Sequence, residues 1–135
     1  MFEYSPVWPH GALQPAFPGV YFVVGTNRTR HAGVDLQTSR TMTVVCEDGA
    51  LTLINTVRLD DAGLAALAAL GDVRHVVRLG AFHGRDDPFY CDRYGATLWA
   101  LPAATHADGR ATDRALAPGG PFPVSDGAVF AFTSA

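Results

Sequence analysis

No lysine occurs in this sequence: all ten basic residues are arginine, and eleven of the thirteen acids are aspartate, so glutamate is scarce as well. Without a lysine amine, no side-chain Schiff base forms and no lysine-dependent phosphate loop can be built. A surplus of positive charge is also missing. The net charge of -3 argues against the broad basic surface that a phosphate backbone requires, and no nucleic-acid partner is expected. Cysteine is limited to Cys46 and Cys91, with no CxxC spacing, a pattern of reduced, buried thiols rather than a disulfide framework or a metal clip. The uncharged apolar run from Gly95 to Thr105 is broken by Pro102 and falls short of the roughly 20 residues that span a bilayer, so no membrane partner is expected. Residues Met1 to His10 place no basic residue ahead of an apolar run; a secretory signal is not expected, and the cytoplasm is the expected compartment. Nucleophile elbow, P-loop and dinucleotide fingerprint are all absent, and Gly119-Gly120 runs into Pro121, which has no backbone N–H to offer a phosphate.

What is present is 135 residues, 48% of them hydrophobic, enough for one domain with its own core. Residues 1–19 carry Pro6, Pro9, Pro15 and Pro18 interleaved with Phe2, Trp8 and Phe17. That density excludes helix and central strand, and it predicts an extended arm ahead of a single domain over 20–135. Val20 to Val24 (VYFVV) predicts a buried strand ending at Gly25. The polar stretch from Thr26 to Arg40 reads as a long loop or ragged edge strand, whose Arg28, Arg30 and His31 form a solvated cluster. Thr41–Cys46 and Ala50–Val57 flank Glu47-Asp48-Gly49, a hairpin signal in which Asp-Gly supplies positive φ. Asp60 as N-cap, Leu59 and Leu64 as a hydrophobic staple, a stripe of Leu64, Leu67 and Leu70, and Gly71 as the stop predict a helix.

Val73 to Leu79 (VRHVVRL) follows as a strand, with His75 expected in the core, and Ala96 to Leu101 (ATLWAL) is its expected partner. Between them Asp86 or Asp87 can cap a short helix, with Pro88 in its first turn and Gly95 at its end. Adjacent acids at this spacing could also work as a catalytic carboxylate pair, but the cap is the simpler reading. Residues 102–123 predict a long loop and Ala128 to Thr133 a last strand. Strand–helix–strand crossovers imply parallel pairing, so the fold class is α/β, a mixed sheet with helices on one face.

The loop Gly80-Ala81-Phe82-His83-Gly84-Arg85-Asp86-Asp87-Pro88 carries the candidate site. Together with the hairpin before it, the Ala/Leu helix, VRHVV and LWALP, it resembles the first half of the metallo-β-lactamase superfamily, over about Tyr21 to Pro102. In that family the loop reads HxHxDH, whose first two histidines hold one metal and whose Asp and last His hold a second. The spacing suits chemistry, because side chains two apart on an extended segment share a face, and imidazole with carboxylate suits zinc or iron. Here His83 matches the first position and Asp87 the Asp, Arg85 replaces the second His, and Pro88 replaces the last. The resemblance thus implies a half-sandwich with a degraded metal site. His83, Asp87 and Asp86 are its candidate ligands, and zinc or iron is the cofactor it would hold, although none is expected to be bound. His106 and Asp108 match no family spacing.

Two functions follow as expectations: a non-catalytic domain with a binding or assembly role, or a metal-dependent hydrolase with an atypical site around His83 and Asp87. A small-molecule module using Phe82, Phe89, Tyr90, Tyr94 and Trp99 is a third, although these aromatics are expected in the core. The family's αββα sandwich needs two strand-rich halves, and the length here suits little more than one. The missing layer is expected from a second copy in a homodimer, or the chain is a fragment lacking its C-terminal half.

Overall fold

In the computed structural model, which describes residues 2–132, the chain folds into one seven-stranded mixed sheet whose strand order follows the sequence. The strands are β1 (Gln14–Phe17), β2 (Val20–His31), β3 (Val34–Glu47), β4 (Ala50–Ile54), β5 (Asp72–Val77), β6 (Thr97–Ala100) and β7 (Arg114–Ala115). Helix α1 (Asp61–Leu70) follows β4 and α2 (Asp87–Tyr94) follows β5. Strands β1 to β4 pair antiparallel; β4–β5 and β5–β6 pair parallel, as the two helical crossovers require, and β6–β7 pairs parallel across a connection without a helix. Among the described residues no helix is long and apolar enough to cross a membrane.

Three local signals account for the framework. Asp48 and Gly49 both take positive φ, 51° and 77°, in the two-residue turn that joins Glu47 to its partner Ala50. Asp60 caps α1 by accepting the Gly63 N–H at 2.8 Å. Gly71 ends that helix for a steric reason: a Cβ there would overlap the Gly49 carbonyl, which accepts the Asp72 N–H at 2.8 Å.

Thr26 to Arg40 is neither loop nor ragged edge. Its residues complete β2 and β3 in unbroken register out to His31 and Val34, closed by Ala32 and Gly33 at φ 49° and 79°. From Arg28 to Ser39 both faces of the ribbon meet water. The apolar alternation that marks a half-buried strand is therefore missing there, although Thr26, Thr29, Val34 and Thr38 suit strand backbone. The expected proline-rich arm includes β1, an edge strand against β2, and its His10 bridges Gly25. The expected loop 102–123 contains β7 and its neighbour Leu116, whose N–H donates to Ala100 O at 2.8 Å. The strand expected over Ala128 to Thr133 does not form in its described part, 128–132; Thr133 lies outside the described residues. There the backbone is tied back to its own segment, with Gly119 N–H donating to Val129 O at 3.0 Å.

Both helices lie on one face of the sheet. Leu64, Leu67, Tyr90 and Cys91 pack with Val23, Met42, Val44, Leu51, Leu53, Val76 and Leu98 in the main core. The opposite face holds a smaller cluster in which Leu116, Phe122 and Val129 cover Ile54, Val77 and Trp99. His75 is half-buried at that face and accepts the Trp99 indole N–H at 3.1 Å. Of the five aromatics expected in the core, Tyr90 and Trp99 are buried, but Phe82 is 79% exposed because it rides on the loop after β5.

Candidate functional site

The site assembles where the loop after β5 enters α2. Tyr90, on the inner face of α2, fixes this end of the helix: its hydroxyl donates to Val57 O at 2.6 Å and accepts the Leu59 N–H at 3.1 Å. Asp86 occupies the N-cap position of α2, yet its side chain makes no capping bond. It turns instead to accept the Arg58 N–H at 3.0 Å and to face the Arg40 guanidinium at 3.7 Å. Asp87 is fully buried; one carboxyl oxygen accepts the Thr56 hydroxyl at 2.6 Å, and the other, Oδ2, has no hydrogen-bond partner. Burial pushes its carboxyl up to about 6, against the opposing pull of the Thr56 hydrogen bond and of Arg78 and Arg40. Burial also raises the Asp86 carboxyl, offset by the Arg58 amide and by Arg40.

Two buried arginines hold the loop by its carbonyl groups. Arg40, near the middle of β3, donates to Thr56 O at 2.5 Å and to His83 O at 3.2 Å. Arg78, just past β5, donates to Thr105 O at 2.6 Å and to Ala81 O, and lies 3.4 Å from His106 Nδ1. Gly84 is required beside it, since a Cβ there would strike the Arg78 side chain. His83 sits at φ 71°, a conformation uncommon for a residue with a side chain; its imidazole is held below the usual histidine range by desolvation and then by Arg40 and Arg78. His106 is buried, shares a 2.7 Å hydrogen bond with Thr112, and is lowered by desolvation and Arg78.

Of the sequence-predicted ligands, Asp86 and Asp87 are neighbours on α2's first turn, and His83 stays on the loop with its carbonyl tied to Arg40. Among the described residues no three His, Cys, Asp or Glu side chains form a group that could hold a metal ion. The donors present do not fit zinc or iron: Asp86 is engaged by a cation and an amide, the cations facing Asp87 are Arg78 and Arg40, and a closed site takes three or four ligands. Arg85 does not face Asp87. Its guanidinium lies over the Trp8 ring, 4.0 Å from the centroid, and donates to Asn27. Arg28 and Arg30 point into solvent on the ribbon, where Arg30 pairs with Asp35 at 2.8 Å.

Sequence reasoning missed Arg40, Arg78 and Thr56. A usable signal existed for Arg78, since an arginine closing an apolar strand such as VRHVVRL must find acceptors if it is buried. Arg40, at the end of a polar stretch, carried none.

No protein-family model and no curated protein matches the chain. Solved structures do match in fold. DIM-1 metallo-β-lactamase exposed to ceftazidime aligns with a TM-score of 0.62 at 12% identity, over 90% of this chain and 57% of that one. TMB-1 aligns at 0.58 and 15% identity, over 91% and 57%, and FIM-1 from Pseudomonas aeruginosa, in a mono-zinc form, at 0.53 and 13%, over 85% and 52%. The chain therefore has a metallo-β-lactamase-type α/β fold and spans a little over half the length of these structures. At such identities the likeness is one of fold, and the site must be read from its own residues.

Proposed function

We propose that this chain, a portion of a metallo-β-lactamase-type fold, works without a resident metal as a non-catalytic binding and assembly domain. One observation carries the reading: the loop after β5 is held by two buried guanidinium groups, Arg40 and Arg78, through the carbonyls of His83 and Ala81. A divalent ion beside Asp87 would face two fixed positive charges that cannot titrate away. Protein purified without chelator, incubated with zinc or iron and then dialysed, is expected to show no stoichiometric metal by elemental analysis. Close to one ion per chain, lost on His83→Ala, would instead establish the metal-dependent hydrolase reading.

Assembly with a second copy belongs to the same proposal. On the sheet face away from the helices Val24 is 44% exposed, and Phe130 and Phe132, beyond the segment that crosses that face, are 84% and 90% exposed. Apolar surface of this kind favours association, and this chain spans a little over half the length of the solved structures of this fold. Sedimentation at micromolar concentration is expected to give about twice the 14.3 kDa chain mass; a single species at the chain mass refutes the homodimer. The free thiols of Cys46 and Cys91 suit a reducing compartment, and the cytoplasm is proposed on that ground.

A further inference from the structure

Between the ribbon and the site loop lies a groove of about 350 Å³, lined by Asn27, Thr29, Arg40, Phe82, His83 and Arg85. Its lining contains two arginines, a histidine, an amide and a hydroxyl, and no acidic residue. The carboxylate that faces Arg40, Asp86 at 3.7 Å, is buried. Arg40 is itself only 4% exposed at its side chain, and its Nε, like those of Arg58 and Arg78 outside the groove, has no hydrogen-bond partner. A buried guanidinium with an unspent donor is costly unless something accepts from it. Arg85 is held ready by the Trp8 ring beneath it and by Asn27, which limits the side-chain entropy lost when it engages a ligand. Phe82 adds an exposed apolar ring to this polar lining.

We propose that this groove binds a small oxyanion, a phosphate or a carboxylate, carried on an apolar or aromatic group. The guanidinium of Arg85 takes the oxyanion with Thr29, Asn27 and the Arg40 side of the groove as further donors, and Phe82 packs against the apolar part. Planar forked donors match both oxyanions, which is why arginine recurs at such sites. A volume of this size accommodates a small metabolite rather than a polymer. The inference deepens the metal-free reading of the same site and rests on it, since the charge that attracts the anion comes from arginine rather than from an ion.

The experiment is calorimetric titration of the full chain with phenyl phosphate, benzoate and inorganic phosphate, at constant ionic strength, on as-purified and chelator-dialysed protein. Phenyl phosphate or benzoate is expected to bind saturably in the millimolar range or tighter, equally in both preparations, and the stronger of the two identifies which oxyanion the groove prefers. Arg85→Gln, at a half-buried surface position, is expected to weaken that binding by about tenfold or more. Phe82→Ala is expected to weaken the aromatic ligand towards the affinity of inorganic phosphate and to leave inorganic phosphate unchanged. Heat that matches benzyl alcohol or added sodium chloride, or binding indifferent to Arg85→Gln, overturns the inference while leaving the metal-free reading intact. Binding that disappears on chelator dialysis and returns with zinc overturns the metal-free reading itself.

Discussion

Arg40→Met is expected to lower the unfolding free energy by about 3–5 kcal/mol, read from the urea or guanidinium midpoint near neutral pH. The side chain it removes is 4% exposed and faces Asp86, itself 8% exposed at its side chain, while bonding the carbonyls of Thr56 and His83. Methionine fills similar volume, so the loss is electrostatic rather than a cavity. Asp86 keeps only the Arg58 N–H, and two carbonyl groups lose their donor. Truncating one partner of a buried pair costs far more than the pair is worth, because the other charge stays behind. Adding Asp86→Asn to Arg40→Met should therefore recover about 1–3 kcal/mol, and the double-mutant cycle gives the coupling directly. A cost under about 1 kcal/mol for Arg40→Met, with no recovery in the double variant, would mean that water already serves these groups.

Where the chemistry is local, the sequence announces it. The Asp-Gly turn, the Asp60 cap with its Leu59–Leu64 staple, and Pro88 with Gly95 bracketing α2 all depend on a few adjacent residues, and all appear where expected. Parallel pairing follows from the crossovers. What could not be read was the ribbon, exposed from Arg28 to Ser39, since a strand wet on both faces has no apolar period. The path after Pro102 was equally closed to reading. Whether Leu116 and Phe122 cover the back of the sheet depends on contacts with Ile54 and Trp99 that lie far away in sequence.

The site divides in the same way. The departure of Arg85 and Pro88 from the HxHxDH pattern is visible in the letters. The partners of the loop's carbonyl groups are not visible there. Arg40 and Arg78 belong to other strands, and only the fold brings them to the carbonyls of His83 and Ala81. Arg85, the arginine in the motif, turns towards Trp8 and Asn27, so the charge that faces Asp87 is supplied from elsewhere.

Asp87→Asn is expected to stabilise the protein at about pH 8 and to change little at about pH 4. The Asp87 carboxyl moves from 3.8 in the ordinary range to about 6 in the fold, chiefly through burial. Because the folded value is the higher one, the native state binds more protons than the unfolded chain between these values. The stability supplied by the protonated acid is whole below about 3.8 and is lost as pH rises through about 6. Above that, keeping the buried carboxylate charged costs about 3 kcal/mol, a penalty that Asp87→Asn removes while still offering an oxygen to the Thr56 hydroxyl. Burial raises Asp86 as well, so it adds to the stability the unmodified protein loses as pH rises. Unfolding midpoints of the two proteins across this range isolate the residue. Their difference should grow from near zero to about 2–3 kcal/mol in favour of Asp87→Asn. A difference that is constant with pH would show that Asp87 titrates alike in the folded and unfolded chain, with Arg78 and Arg40 balancing its desolvation.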